Sequence, residues 1–152
     1  MEREKTIEVL NSLIIINNDR IEGYETASKE TEEQYLKTLF GRFAATSRKC
    51  EQELINEVNN LDGQVAEGTL TSGKFYRVWM DIKTALTGKD SKAILNSCEY
   101  GEDVAVGIYK NALKNDSEYL SQHQQSLIKE QRKRLKEDHK TVKIIRNALI
   151  SA

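Results

Sequence analysis

Proline is absent from this chain and glycine occurs only 8 times in 152 residues. Nothing therefore punctuates it in the way a linker or a turn-rich β fold requires. Aromatic side chains are scarce at 7%, with a single Trp. Only two cysteines are present, Cys50 and Cys98; they form no CxxC pair and read as small apolar residues in reducing surroundings. Charge of one sign is lacking as well. The net charge of -1 gives no global electrostatic case for nucleic acid or an anionic membrane surface. The longest aliphatic block, Leu13 to Ile16, is far too short to span a bilayer. The charged start MEREKTIE has no apolar core that would make it a signal peptide. A cytoplasmic protein is the expectation.

What is present is a helical pattern. Charged residues at 31% against hydrophobic ones at 38% suit a surface-charged all-α bundle. From about Glu4 to Lys29, Ile7, Leu10, Ile14, Asn17, Ile21 and Tyr24 recur at steps of three and four, the seam of an amphipathic helix. Thr31 with Gln34 predicts a capping box that restarts a second helix after a very short break. That helix would bury Leu36, Phe40, Phe43, Ser47, Cys50, Leu54 and Leu61. It would end at Asp62-Gly63, with Gly63 in the left-handed conformation. A break this short makes the two helices antiparallel neighbours.

The stretch from Gly63 to Lys89 reads differently. It opens with QVAEGTLTSG and then carries Phe75, Trp79, Ile82 and Leu86 at helical spacing, which predicts a short helix over 72–87. Asp90 or Ser91 caps the next helix, which runs to about Lys114; Asn115-Asp116-Ser117 turns into a last helix reaching almost to the C-terminus. Two helical hairpins joined by a long crossover (about 63–89) place the second and third helices parallel. A single domain spanning 1–152 follows.

The pieces LNSLIIINNDRIEGYETAS, RVWMDIKTALTGKD, ILNSCEYGEDVAVGIYKNAL and HKTVKIIR resemble a bacterial four-helix-bundle family that belongs to the ferritin-like superfamily and is catalogued as a domain of unknown function. The resemblance implies a ferritin-like four-helix bundle with one long crossover connection containing a short fifth helix. It implies no activity. Ferritins and their metal-binding relatives place one inward Glu on each of two helices and Glu-x-x-His on the other two. This chain departs from that pattern. Leu120 and Lys136 stand three residues before His123 and His139, and the second helix has no histidine.

One carboxylate nevertheless falls on a core seam. In NSCEYGEDVAV, Glu102 lies on the face shared by Leu95, Cys98, Ala105 and Tyr109. Counting outward from turns near Glu30 and Asn115 gathers Asn17, Ser47, Glu102 and Gln131 in one layer, with Asp138 nearer one end beside Tyr24. One carboxylate cannot supply a dinuclear site. The preferred reading is a buried polar network in which Asn17 and Gln131 donate amide hydrogens to Glu102. The alternative is one divalent ion (iron, manganese or zinc) held by Glu102 with Asp138 or His139. That alternative would make the chain a divergent metal-binding or metal-oxidising ferritin-like protein.

Off the seams, Ile15, Ile16, Val104, Gly107 and Ile108 form a strip that needs a cover. The crossover helix with Trp79 is the nearest candidate, and a second copy of the chain, giving a homo-oligomer, is the other. The stripe Lys129, Arg132, Lys133, Lys136, Lys140 and Lys143 reads as a solvated helix face, without the interleaved aromatics that would stack nucleic-acid bases. No cofactor, membrane or catalytic grouping is expected. A non-enzymatic structural or interaction protein is the function these features favour.

Overall fold

The computed structural model describes residues 2–68, 80–82, 84–85, 88 and 90–151, with side chains through 149. Four long helices build it: α1 Glu2–Glu30, α2 Gln34–Asn60, α3 Ser91–Asn115 and α4 Gln122–Ser151. No strand occurs among the described residues. No described helix is long and apolar enough to cross a membrane.

The chain directions follow from which residues meet. Asn17 and then Arg20 of α1 lie level with Cys50 and then Ser47 of α2, so these two run antiparallel. Tyr109 and then Glu102 of α3 lie level with Gln131 and then Asp138 of α4, an antiparallel pair again. α2 and α3 therefore run parallel, so the end of α2 and the start of α3 lie at opposite ends of the bundle. The first residues of the crossover are tied to α1: Asn11 Nδ2 donates to Gln64 O at 2.9 Å and Asn18 Nδ2 donates to Gly68 O at 2.9 Å. Near its end residues 80–82 and 84–85 are helical, and Ile82 is buried with the cluster around Phe40 and Ile94. The predicted crossover contacts of Phe75, Trp79 and Leu86 lie outside the described residues.

Helix ends show how local chemistry sets the lengths. The capping box expected at Thr31 and Gln34 does not form. Gln34 is the first residue of α2 and not the third, which a capping box requires, and Thr31 Oγ1 instead accepts from Glu33 N at 3.2 Å. Asp90 caps α3 as expected, accepting from Ala93 N at 3.1 Å. An unforeseen reciprocal box opens α4: Gln124 N donates to Ser121 Oγ at 3.1 Å, and Ser121 N donates to Gln124 Oε1 at 2.9 Å.

At the end of α2 the roles of two residues are exchanged relative to expectation. Asp62 takes the left-handed conformation (φ 55), and Gly63 N closes the motif on Val58 O at 3.0 Å. Gly63 is small for another reason: a Cβ there would lie 2.7 Å from Ile7 Cδ1. The chain turns at Asp62 while α1 packs directly over Gly63.

The core divides into two apolar halves. One gathers Leu10, Leu13, Ile14, Leu54, Val58 and Ile128; the other gathers Tyr24, Leu36, Phe40, Phe43, Leu95 and Val142. Between them lie polar side chains from all four helices. Because Asp62 carries a Cβ in a backbone region that suits glycine, Asp62→Gly should stabilise the fold by about 0.5–1 kcal/mol. Gly63→Ala should destabilise it by about 1 kcal/mol or more, since Ile7 must be displaced. Urea unfolding midpoints of the two variants would read both effects.

Candidate functional site

Helical spacing brings polar groups onto each core seam. On α4, Ile128, Gln131, Leu135, Asp138 and Val142 recur at steps of three and four, so Gln131 and Asp138 must point inward with the aliphatics between them. On α1, Arg20 lies one turn beyond Asn17 and one turn before Tyr24, and all three are buried. On α3, Glu102 and Tyr109 are two turns apart on the buried face.

Arg20 is the hub. Its guanidinium meets one residue on each of the other three helices. Nη2 donates to Glu102 Oε1 at 2.7 Å and to Asp138 Oδ2 at 3.0 Å, Nε donates to Glu102 Oε1 at 3.2 Å, and Nη1 donates to Ser47 Oγ. The Arg20 residue is only 1% exposed. Tyr24 OH donates to the same Glu102 oxygen at 2.5 Å, and its ring lies 5.5 Å from the Arg20 Cζ. Tyr24 in turn stacks on Phe40 and meets Phe43 edge-on, which fixes the hydroxyl against the carboxylate.

Buried charge on this scale is costly, since moving an ion out of water costs several kcal/mol even after relaxation. The electrostatics answer to that cost. Burial pulls the Arg20 pKa down, but Glu102, Tyr24 and Asp138 more than reverse it, so the net shift is upward and the guanidinium stays charged. Burial, reinforced by the Glu102 charge, raises Tyr24 well above its ordinary value and keeps it a hydrogen-bond donor. Burial first and Glu102 second also raise the Cys98 thiol, which stays protonated and inert. Asp138 rises to about 6, because burial and the Glu102 charge together outweigh the pull of Arg20.

A second polar layer adjoins the first. Asn17 Nδ2 donates to Tyr109 OH at 2.8 Å, and Tyr109 OH donates to Gln131 Oε1 at 2.7 Å. Gln131 Nε2 donates to Cys50 O at 3.0 Å and to Glu53 Oε1 at 3.1 Å. Arg134 Nη1 closes the chain on Glu53 Oε1 at 2.7 Å. Burial pushes the Glu53 carboxyl up, but hydrogen bonds from Arg134 and Gln131 prevail and hold it below the usual range. This layer thus links the buried Asn17 to a partly exposed ion pair.

The four residues expected in one layer are all buried, but they divide between the two. Ser47 and Glu102 stand with Arg20, whereas Asn17 and Gln131 stand with Tyr109. The amides of Asn17 and Gln131 do not donate to Glu102; Arg20 and Tyr24 do. The cause is register. The hairpin of α3 and α4 is centred on Leu120, because the 3₁₀ turn Ser117–Tyr119 and the Ser121 cap lengthen it beyond Asn115–Ser117. Glu102 is thereby brought opposite Asp138, two helical turns beyond Gln131.

Of the three residues considered for a divalent ion, Glu102 and Asp138 do meet, but through a guanidinium. His139 is half-buried between α4 and α3, with its Nε2 3.9 Å from Glu99 Oε1. The described residues hold no group of three or more His, Cys, Asp or Glu side chains arranged for a metal. The donor set does not fit a di-iron centre. Among the strip residues, Ile16 is buried and Ile15, Val104, Gly107 and Ile108 are partly covered. No described atom comes within 4 Å of a Cβ placed on Gly107. Cys50 and Cys98 are free and buried, as expected.

Arg20 was the residue hidden from sequence reasoning. The alternating count along α1 selects Ile21 over its neighbour, and Ile21 is only partly buried. The available signal was the pairing itself: a cation one step from the seam of α1 and a carboxylate on the seam of α3.

The molecule is an all-helical bundle whose interior is organised around a buried ion cluster. The family model described as "Domain of unknown function (DUF2383)" matches residues 5–115, and the chain belongs to that family. The match includes Arg20, Tyr24, Ser47 and Glu102; Asp138 and Gln131 lie beyond it. No curated protein matches the chain.

Replacing Arg20 with Met keeps the length but leaves Glu102 and Asp138 facing each other uncompensated. Arg20→Met should therefore destabilise the protein by about 3–5 kcal/mol. Adding Glu102→Gln and Asp138→Asn should restore a substantial part of that loss, and equilibrium denaturation of the single and triple variants measures both.

Proposed function

We propose that this protein is a ferritin-like bundle acting as a non-enzymatic, cytoplasmic structural or interaction protein, without metal chemistry in its interior. One observation carries the reading: the Arg20 guanidinium lies between Glu102 and Asp138, at 2.7 and 3.0 Å. These are the carboxylates that a metal ion would require. A dication brought to the same oxygens would meet a fixed positive charge, and each pair of unit charges 4 Å apart costs about 4 kcal/mol at an effective dielectric near 20. Among the described residues, the remaining hydrogen bonds of the cluster involve hydroxyls of Ser47, Thr46 and Tyr24, with no imidazole among them. Such a set suits an internal strut that joins four helices better than a redox centre.

With its interior committed to structure, the protein is left its outer surface for contacts. The strip of Ile15, Ile16, Val104, Gly107 and Ile108 has the crossover as its nearest cover, and the burial of Ile82 supports a crossover that packs onto the bundle. Protein produced with iron, manganese and zinc supplied should contain less than stoichiometric metal and show no ferroxidase activity. Stoichiometric metal by elemental analysis would defeat the reading. Light scattering should give the mass of one chain; a dimer would assign the strip to a second copy.

A further inference from the structure

The charges inside the bundle do not balance. Two carboxylates, Glu102 and Asp138, share one guanidinium nitrogen. Among the described residues, the other groups placed against them carry no positive charge: Tyr24 from α1, Ser47 and Thr46 from α2, and Cys98 from α3. On α4, Arg134 pairs with Glu53, and His139 lies 3.9 Å from Glu99. A second observation is independent of the count. All three hydrogen bonds to Glu102 converge on Oε1, whereas its buried Oε2 accepts none from the described residues. An anionic oxygen buried without a donor is unfavourable, and a proton taken up by either acid reduces the excess negative charge around Arg20.

We propose that the Glu102–Asp138 pair is a binding site for one proton, and that its occupancy makes the bundle hold together more firmly as the surroundings acidify. The proton comes from water and forms one O–H bond on a carboxylate. The pair then carries a single negative charge, which Arg20 neutralises. Asp138 is 4% exposed against 1% for Glu102, which makes it the member nearer to solvent.

The direction follows from linkage. Asp138 titrates at about 6 in the folded chain against 3.8 as its ordinary value. The folded state therefore holds the proton more tightly, so the stabilising contribution is full below the unfolded value and is lost as pH rises through about 6. Between pH 7.5 and pH 5 this should multiply the folding equilibrium constant roughly tenfold.

The test is urea unfolding across that range in a His123→Gln/His139→Gln background, which removes imidazole titration, with and without Asp138→Asn. A tenfold gain on acidification that Asp138→Asn abolishes is the expected result. Parallel curves for the two proteins would overturn the proposal. Should Asp138→Asn fail to fold, infrared spectra of the intact chain with ¹³C-labelled aspartate decide the matter. A protonated-carboxyl band growing in with a midpoint near pH 6 supports the site, and its absence down to pH 5 rejects it.

Discussion

A guanidinium withdrawn from water and fastened to three other helices is the constraint on which the bundle depends. Apolar seams can slide past one another by a turn at modest cost, because leucine against isoleucine is nearly as good one step along. Arg20 cannot slide. Its donors find Glu102, Asp138 and Ser47 in only one register, and any other leaves several buried charges unpaired. The second layer, from Asn17 through Tyr109 and Gln131 to Glu53, repeats the demand with neutral groups. Together the two layers specify which helices face each other and at what height, while the apolar clusters on either side supply most of the driving force.

The same arrangement bears on chemistry. Bundles of this shape can turn interior carboxylates into ligands for cations, and here the cation is part of the chain. A covalently attached positive charge needs no uptake or release, and it offers no open coordination position. The reactive groups nearby, Cys98 and Tyr24, are held in their neutral forms by burial and by the Glu102 charge.

Much of this was legible in the residues. The four long helices, the short first connection, the long crossover and the parallel course of α2 and α3 follow from the spacing of apolar positions and the placing of breaks. Glu102 announced itself as a carboxylate on a buried seam. Its partners were misjudged because register was counted from turns placed too early. The Ser121–Gln124 box and the 3₁₀ turn before it lengthen the second hairpin, which displaces the opposite residue by two helical turns. Arg20 escaped because a seam drawn through Ile21 looks more apolar than one drawn through a charge.

The sequence by itself determined the helices and their amphipathic faces, since both depend on periodicity and on groups a few residues apart. It also determined that polar residues would be buried, because Asn17, Ser47, Glu102 and Gln131 fall on inward-facing steps. Only the tertiary structure decided which of them would touch. A side-chain hydrogen bond depends on positions set to within a fraction of an ångström by helices distant along the chain, and a single residue added to a turn shifts every pairing beyond it. The choice of Arg20 as the counter-ion of Glu102 and Asp138 is such a decision, made by packing rather than by pattern.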